Sequence, residues 1–330
     1  MRTGVVIRPR TGWSALELGE LWRYRELLFF LSWRDVLVRY KQAVLGVAWA
    51  VLNPLVTMVV FTLVFGMLLG VQSGSDVPYA VFSYTALLPW NLFSGGLNRA
   101  SVSLVARANL LTKVYFPRLV IPISSIFAGV VDFAIAFVML LVLMAVFRVP
   151  YAWTMVWLPL LTAFCLITAL AVSLWLAALN VLYRDVQYIV PFLVQILMYL
   201  SPVIYPVDQV PEGILRTLYS LNPMVGVIQG FRWAILGEQP PSYTIAISAL
   251  VVLALLLGGL FYFKRMERTF ADVVRACPRP SSPLRAWASA TASAASKTTT
   301  PRCATHSVAW PPRRSAVSST AAPPPAAAPS

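Results

Sequence analysis

The chain has 330 residues, of which 59% are hydrophobic and 12% charged, with a mean hydropathy of +0.74. Soluble globular proteins carry about 25% charged residues, so a soluble enzyme or a soluble nucleic-acid-binding domain is excluded for the bulk of the chain. The net charge of +14 is unevenly spread: all 12 acidic residues lie at or before Asp272, and seven of the 26 Lys and Arg lie after it. No basic patch with interleaved aromatics sits in a soluble segment. The excess therefore reads as cytoplasmic positive charge facing anionic lipid, not as a nucleic-acid surface.

Residues 1–41 are expected to form a cytoplasmic N-terminus, without the short apolar core and small-residue cleavage site of a signal peptide. Within it, 22–41 reads as an amphipathic interface helix. Trp22, Phe29, Trp33, Val36 and Tyr40 share one sector, and Arg23, Arg34 and Lys41 form a basic stripe. Asp35 and Arg39 have the i,i+4 spacing of a helical ion pair. Leu27 and Leu28 interrupt the polar side.

The membrane body, 42–272, follows. Charge-free stretches run over Gln42–Ser75, Val77–Asn98, Val149–Tyr183, Val186–Val207 and Gln239–Phe263. Each exceeds the roughly 20 apolar residues that a helix needs to cross the hydrocarbon layer. The expected fold class is an all-α polytopic membrane protein of six spans, at about 44–70, 79–100, 119–147, 155–182, 186–206 and 243–263. With the N-terminus inside, sixteen Lys and Arg flank the spans on the cytoplasmic side against Arg148, Arg216 and Arg232 outside, which puts both ends inside.

Two connections carry information. The cytoplasmic stretch 101–118 is basic, and Pro117 favours a helix stop there. The outer stretch 207–242 is too apolar for a solvated loop, with Ile214, Leu218, Met224, Ile228, Phe231 and Trp233 among its residues. It reads as short helices dipping back into the membrane between spans 5 and 6. Residues 273–330 form an Ala/Ser/Pro/Arg-rich segment with no acid. Such a segment reads as a disordered tail, or more sharply as out-of-frame translation of a GC-rich gene.

Several chemistries are missing. No Gly is followed by Lys, so the phosphate cradle of P-loop proteins is absent. Cys165 lies in an apolar span, while Cys277, Cys303 and the single histidine, His306, lie in the tail. That removes a disulfide framework, zinc sites and His-based triads from the membrane body. No metal or cofactor is expected in this chain. Asp132 is the ionisable residue deepest in a span, and such residues are functional suspects. No intramembrane base or second acid accompanies it in sequence, which favours a carboxylate hydrogen-bonded within the bundle. The four-residue spacings of Gly66, Gly70 and Gly74, and of Gly226 and Gly230, permit close helix approach but recur by chance. The aromatics near span ends, including Trp153, Trp157 and Tyr183, fit either an interfacial belt or a sugar-stacking lining.

Four segments resemble a known family. RYKQAVLGVAWAVLNPL at 39–55, NLLTKVYFPRLVIPISS at 109–125, LNVLYRDVQYIVPFLVQILMYLSPVIYP at 179–206 and LNPMVGVIQGFRWAILG at 221–237 are similar to permease subunits of ABC-2 type polysaccharide exporters. That family exports O-antigen, capsular polysaccharide and teichoic acid. The resemblance runs from about Trp22 to Val274 and excludes the tail. It implies a non-enzymatic transport subunit forming a homodimer in the bacterial cytoplasmic membrane. Two copies of a separate subunit would bind ATP and Mg. The substrate would be a polyprenyl-diphosphate-linked glycan, and the outer helices of 207–237 would be gates. Asn109, Lys113, Tyr115, Phe116 and Arg118 would then contact or position the ATPase. Arg34, Arg39 and Lys41 would meet the lipid diphosphate, or simply anchor to anionic lipid. Tyr40, Trp49, Trp90, Phe93, Tyr199, Tyr205, Phe231 and Trp233 would line the channel or its gate. An ABC-2 permease for a drug or small lipid shares the topology and stays open as an alternative. A membrane glycan polymerase or glycosyltransferase lacks its acidic or histidine cluster here, and a channel or secondary carrier lacks its paired charges.

Overall fold

A helix crossing hydrocarbon must satisfy its own backbone and hide its polar side chains, and both demands are visible in a computed structural model of the chain. It describes residues 18–41, 46–71, 77–113, 116–207, 213–238, 240 and 243–275. The described residues contain helices and no strands. In order these are α1 (Leu18–Arg23), α2 (Arg25–Lys41), α3 (Gly46–Phe61, continued by a π-helical Thr62–Leu68), α4 (Tyr79–Ala106), α5 (Ala108–Lys113), α6 (Val120–Phe127) and α7 (Gly129–Val146). A 3-10 turn at Trp153–Trp157 leads into α8 (Leu158–Leu182), followed by α9 (Val186–Tyr199), α10 (Ile214–Ser220), α11 (Pro223–Leu236) and α12 (Tyr243–Arg275).

Among the described residues, four helical stretches are long and apolar enough to cross a membrane: Ala48–Leu68, Val120–Val146, Trp153–Leu182 and Tyr243–Glu267. Two of the six expected spans fall outside that set for different reasons. The α4 helix is long but polar, because it is the centre of the bundle and packs against α3, α6, α7, α8, α9 and α11. Its serine and threonine hydroxyls bond within the helix: Ser83 donates to the Ala80 carbonyl at 3.2 Å, Thr85 to Val81 at 2.8 Å and Ser103 to Ala100 at 2.7 Å. Polar residues at such positions cost little in an apolar interior. The other, α9, is short at 14 residues. It stops at Tyr199, and Ser201 precedes Pro202, a position that disfavours helix.

The chain after α9 stays buried although it is not helical, with Ser201 and Val203 fully shielded. Its carbonyls are taken by side chains from elsewhere. Tyr79 donates to Ile204 at 2.7 Å, Arg232 to Val203 at 3.2 Å and to Tyr205 at 3.3 Å, and Asn222 to Leu200 at 3.2 Å. Irregular backbone inside a membrane protein is tolerable when protein groups complete it in this way. Asn222 also caps α11, accepting from the Met224 amide at 3.1 Å. Pro223 then supplies the first turn, and Gly237 ends the helix in the left-handed region at φ 70°.

The apolar content of 207–242 is explained by α11. Met224, Val225, Val227, Ile228, Phe231, Ala234 and Ile235 are each 0% exposed. All of them but Val225 join the main core with Tyr84, Trp90, Phe93, Leu140, Met144 and Cys165. A second core cluster gathers Leu31, Leu104, Phe116, Val120, Ile121, Leu174, Ala177, Ala178 and Phe263. Leu27 and Leu28 of α2 pack on this cluster. These leucines therefore face the bundle, and the outward aromatic face is Trp22, Phe29, Phe30 and Trp33. Val36, expected on that aromatic face, is buried.

The glycine spacings separate. Gly226 lies against Ser248 of α12 and Gly230 against Leu161 of α8, so this pair marks close helix packing. Gly66 meets the Tyr79 ring and Gly70 sits at φ +63° where the π-helical turn ends. Gly74, residues 1–17 and the tail beyond Arg275 lie outside the described residues. A β-carbon at Gly226 would stand 2.7 Å from Ser248 Cβ and 3.2 Å from the Ile245 backbone. Gly226→Ala should therefore destabilise the protein by about 1–3 kcal/mol, read as a lower melting temperature in detergent. Adding Ser248→Gly should recover part of the loss.

Candidate functional site

Charge inside the bundle is concentrated where α2 docks. The carboxylate of Asp132, near the start of α7, accepts from Arg39 Nη1 on one oxygen and from the Tyr40 hydroxyl on the other. Arg99 of α4 is a third partner, with Nη1 3.9 Å from Asp132 Oδ2 and Nε donating to the Ser125 carbonyl at 3.2 Å. A base therefore does accompany Asp132, supplied by α4 and by the interface helix. The carboxylate is thus hydrogen-bonded within the bundle, with charged partners that come from other helices.

Burial, followed by the hydrogen bond to Asp132, pushes the Tyr40 hydroxyl up to about 12. It stays a donor to the carboxylate throughout the physiological range. One turn earlier Asp35 accepts from Arg107 Nη2, with Arg34 3.5 Å away. Arg107 also donates to the Ser124 hydroxyl at 3.0 Å. Burial pushes the Arg107 guanidinium down from its ordinary value, and Asp35 acts in the opposite sense. The expected Asp35–Arg39 pair within α2 does not form. Both residues are paired outward, each joining the helix to a different part of the bundle.

Arg39 and Tyr40, but not Asp35 or Arg107, form one wall of a cavity of about 610 Å³ between α2, α3, α4 and α7. Trp49 and Asn53 line it from α3, Asn91, Asn98 and Arg99 from α4, and Asp132 and Phe133 from α7. That volume falls within the usual range of small-molecule pockets.

The expected site residues separate accordingly. Arg39 and Tyr40 are in this cavity, with Trp49 exposed at its edge. Arg34 is half-exposed beside Asp35, and Lys41 is exposed at the end of α2. Among the aromatics, Trp90, Phe93 and Phe231 are 3%, 1% and 0% exposed and pack in the main core. Phe231 meets the Phe133 ring edge-on. Tyr199 is exposed and Trp233 partly buried.

Tyr205 sits in a phenol chain at the turn after α9. The Tyr219 hydroxyl donates to Tyr205 at 3.1 Å, and Tyr205 donates to the Tyr199 carbonyl at 3.4 Å. Burial, then the bond to Tyr205, raises the Tyr219 pKa and keeps it a donor. Of the residues expected to meet an ATPase, Asn109 and Lys113 lie on α5, and Tyr115 lies outside the described residues. Phe116 is buried in the second core cluster. Arg118 reaches the end of α12, with Nε 3.8 Å from Glu267 Oε1 and Nη1 donating to the Glu267 carbonyl. Sequence reasoning missed Arg99 and the pairing of Asp35 with Arg107, because these partners lie tens of residues away.

The ABC-2 type transporter family model matches residues 26–236, a stretch that contains every helix bordering the cavity. The chain belongs to the ABC-2 type transporter family. It is similar to the O-antigen export system permease protein RfbA of Myxococcus xanthus, with 32% identity over 77% of this chain and 98% of that protein. The same-named protein of Klebsiella pneumoniae is 28% identical over 76% of this chain and 95% of its own length. The polysialic acid transport protein KpsM of Escherichia coli is 25% identical over 71% and 91%. As an ABC-2 type permease the chain is an integral membrane transport subunit, not an enzyme, and the family implies pairing with an ATP-binding subunit.

Within this permease Tyr40→Phe removes a hydrogen bond to an ionised carboxylate. A loss of about 1.5–3 kcal/mol is expected. It should be seen as a lower melting temperature of the purified protein and faster proteolysis near Lys41.

Proposed function

We propose that the chain is the membrane permease subunit of an ATP-driven exporter. Its substrate is a polyprenyl-diphosphate-linked polysaccharide, O-antigen or a similar surface glycan, carried across the bacterial cytoplasmic membrane. The observation that carries this reading is the near-full-length similarity to proteins named for O-antigen export and polysialic acid transport. Six spans, with α4 and α9 completing the four strongly apolar helices, fit a helix count that leaves both ends in the cytoplasm. The excess of Lys and Arg beside the inner ends supports the same orientation.

In this reading two copies of the permease pair with two ATP-binding subunits. The α5 segment with Asn109 and Lys113 docks on the ATPase, Phe116 and Arg118 fix its base, and Tyr115 completes the contact. The exposed aromatics of α2 lie in the headgroup layer. Arg34, Arg39 and Lys41 face the lipid diphosphate, to which guanidinium and ammonium groups make charge-assisted bonds. Tyr40, Trp49, Tyr199, Tyr205 and Trp233 remain as channel and gate aromatics. The α10–α11 hairpin forms the outer gate, whose apolar surface is consistent with a dip into the membrane.

Depletion of the protein in its native cell tests the function. Finished lipid-linked polymer should accumulate on the cytoplasmic face and vanish from the surface; unchanged glycans would refute the reading. Lys113→Glu should uncouple ATP hydrolysis from export, with membrane insertion intact. Export measured alongside ATPase activity in reconstituted vesicles checks it, and unchanged export would remove α5 from the docking assignment.

A further inference from the structure

The charges around Asp132 do not balance. Two guanidinium groups, Arg39 and Arg99, face one carboxylate among the described residues lining the cavity. Arg39 has the close contact. Arg99 stands 3.9 Å from the carboxylate and spends only Nε on a protein carbonyl. Its guanidinium is seated against glycine: a β-carbon at Gly129 would come within 2.3 Å of Nη2, and one at Gly95 within 3.0 Å of Nη1. The helices are therefore shaped around this cation. An under-compensated, largely buried cation is costly and marks a place where an anion is stabilised.

Two further observations narrow the anion. Asn98 Oδ1, one residue away on α4, is buried with no hydrogen-bond partner, so the cavity offers a hydroxyl an acceptor. Trp49 presents a ring 66% exposed at the cavity edge, a surface suited to the CH face of a sugar. The Asp132 carboxylate itself takes one donor on each oxygen, as two oxygens of a phosphate would.

We propose that this cavity binds the glycosyl-phosphate end of a lipid-linked glycan, with Asp132 as its built-in stand-in. The proposal rests on the exporter reading above. The phosphate engages Arg99 and competes with Asp132 for Arg39 and Tyr40. A sugar hydroxyl donates to Asn98 Oδ1, and the sugar ring lies on Trp49. In the empty site Asp132 holds the donors in place; in the filled site the phosphate takes its position.

The test is binding to the full-length permease in phosphatidylcholine nanodiscs, measured by native mass spectrometry. The probes are polyprenyl-diphosphate-N-acetylglucosamine, the same lipid without the sugar, and phosphatidylglycerol. Arg99→Gln should weaken binding of the glycosylated probe by about tenfold or more, as loss of a charge-assisted bond requires, and Arg99→Lys should restore part. Asp132→Asn should tighten it several-fold, a direction that a purely structural carboxylate would not give. Asn98→Ala should erase the preference for the glycosylated over the bare diphosphate.

Weakening by Asp132→Asn in a protein of normal melting temperature would overturn the stand-in role. Equal binding of phosphatidylglycerol, with the same Arg99 dependence, would make the cavity an anionic-lipid pocket and overturn the substrate assignment. If Arg99→Gln does not fold, the Asp132 and Asn98 variants still decide. Loss of surface glycan on depletion, with no probe bound here, would refute this site and leave the exporter reading standing.

Discussion

The docking of α2 is the constraint on which the inner half of the bundle depends. A helix with aromatics on its outer face and a basic stripe beside them would, alone, simply float in the headgroup layer. Asp35 and Arg39 prevent that. Asp35 is held by Arg107 at the end of α4, and Arg39 holds Asp132 on α7. Ser32 adds a bond to the Ser124 carbonyl at 3.1 Å, and Leu31 enters the second core cluster. Each ion pair is partly exposed, so its net worth is modest. Their geometric effect is larger, because two crossed pairs one turn apart fix both the position and the rotation of the helix. The cavity exists only while that rotation is kept, since Arg39 and Tyr40 form one of its walls.

At the other end the same problem of polar groups in an apolar setting has a different solution. The turn after α9 leaves helical geometry, and its carbonyls are completed by Tyr79, Asn222 and Arg232 from three separate places in the sequence. Arg232 is 2% exposed, with its guanidinium carbon 3.7 Å from the centroid of the Phe82 ring. This buried cation lies over an aromatic face and bonds two backbone carbonyls. Inner charges face a cavity, whereas the outer one is sealed into backbone. That contrast separates a binding function from a scaffolding one.

Much of this was legible in the sequence, because lipid imposes a strict rule: a charge-free run long enough to cross must be a helix. The spans around 44–70, 155–182 and 243–263 follow from that rule alone, and 119–147 departs from it only at Asp132. The apolar outer stretch was also visible, though not that α11 would be core. Contacts between distant residues were less accessible. Nothing local links Asp132 to Arg39, 93 residues away, and the i,i+4 rule pointed Arg39 at Asp35 instead. Sequence also cannot say whether an aromatic near a span end faces lipid, a cavity or the core. Trp90 and Phe93 were sorted only by the packing of α4 at the bundle centre.

The α12 helix is clamped at two heights. Near its start Ser248 donates to the Ser220 carbonyl at 3.1 Å and accepts from the Gly226 amide at 3.2 Å. Near its end Glu267 receives Arg118 through both carboxylate and carbonyl. The clamps lie on one continuous helix, about 29 Å apart at 1.5 Å per residue, close to the thickness of the hydrocarbon layer. The protein thus carries its own ruler. A bilayer much thicker or thinner than that spacing loads one clamp or the other, so the acyl-chain length of the host membrane becomes a mechanical input to how the two faces are held apart.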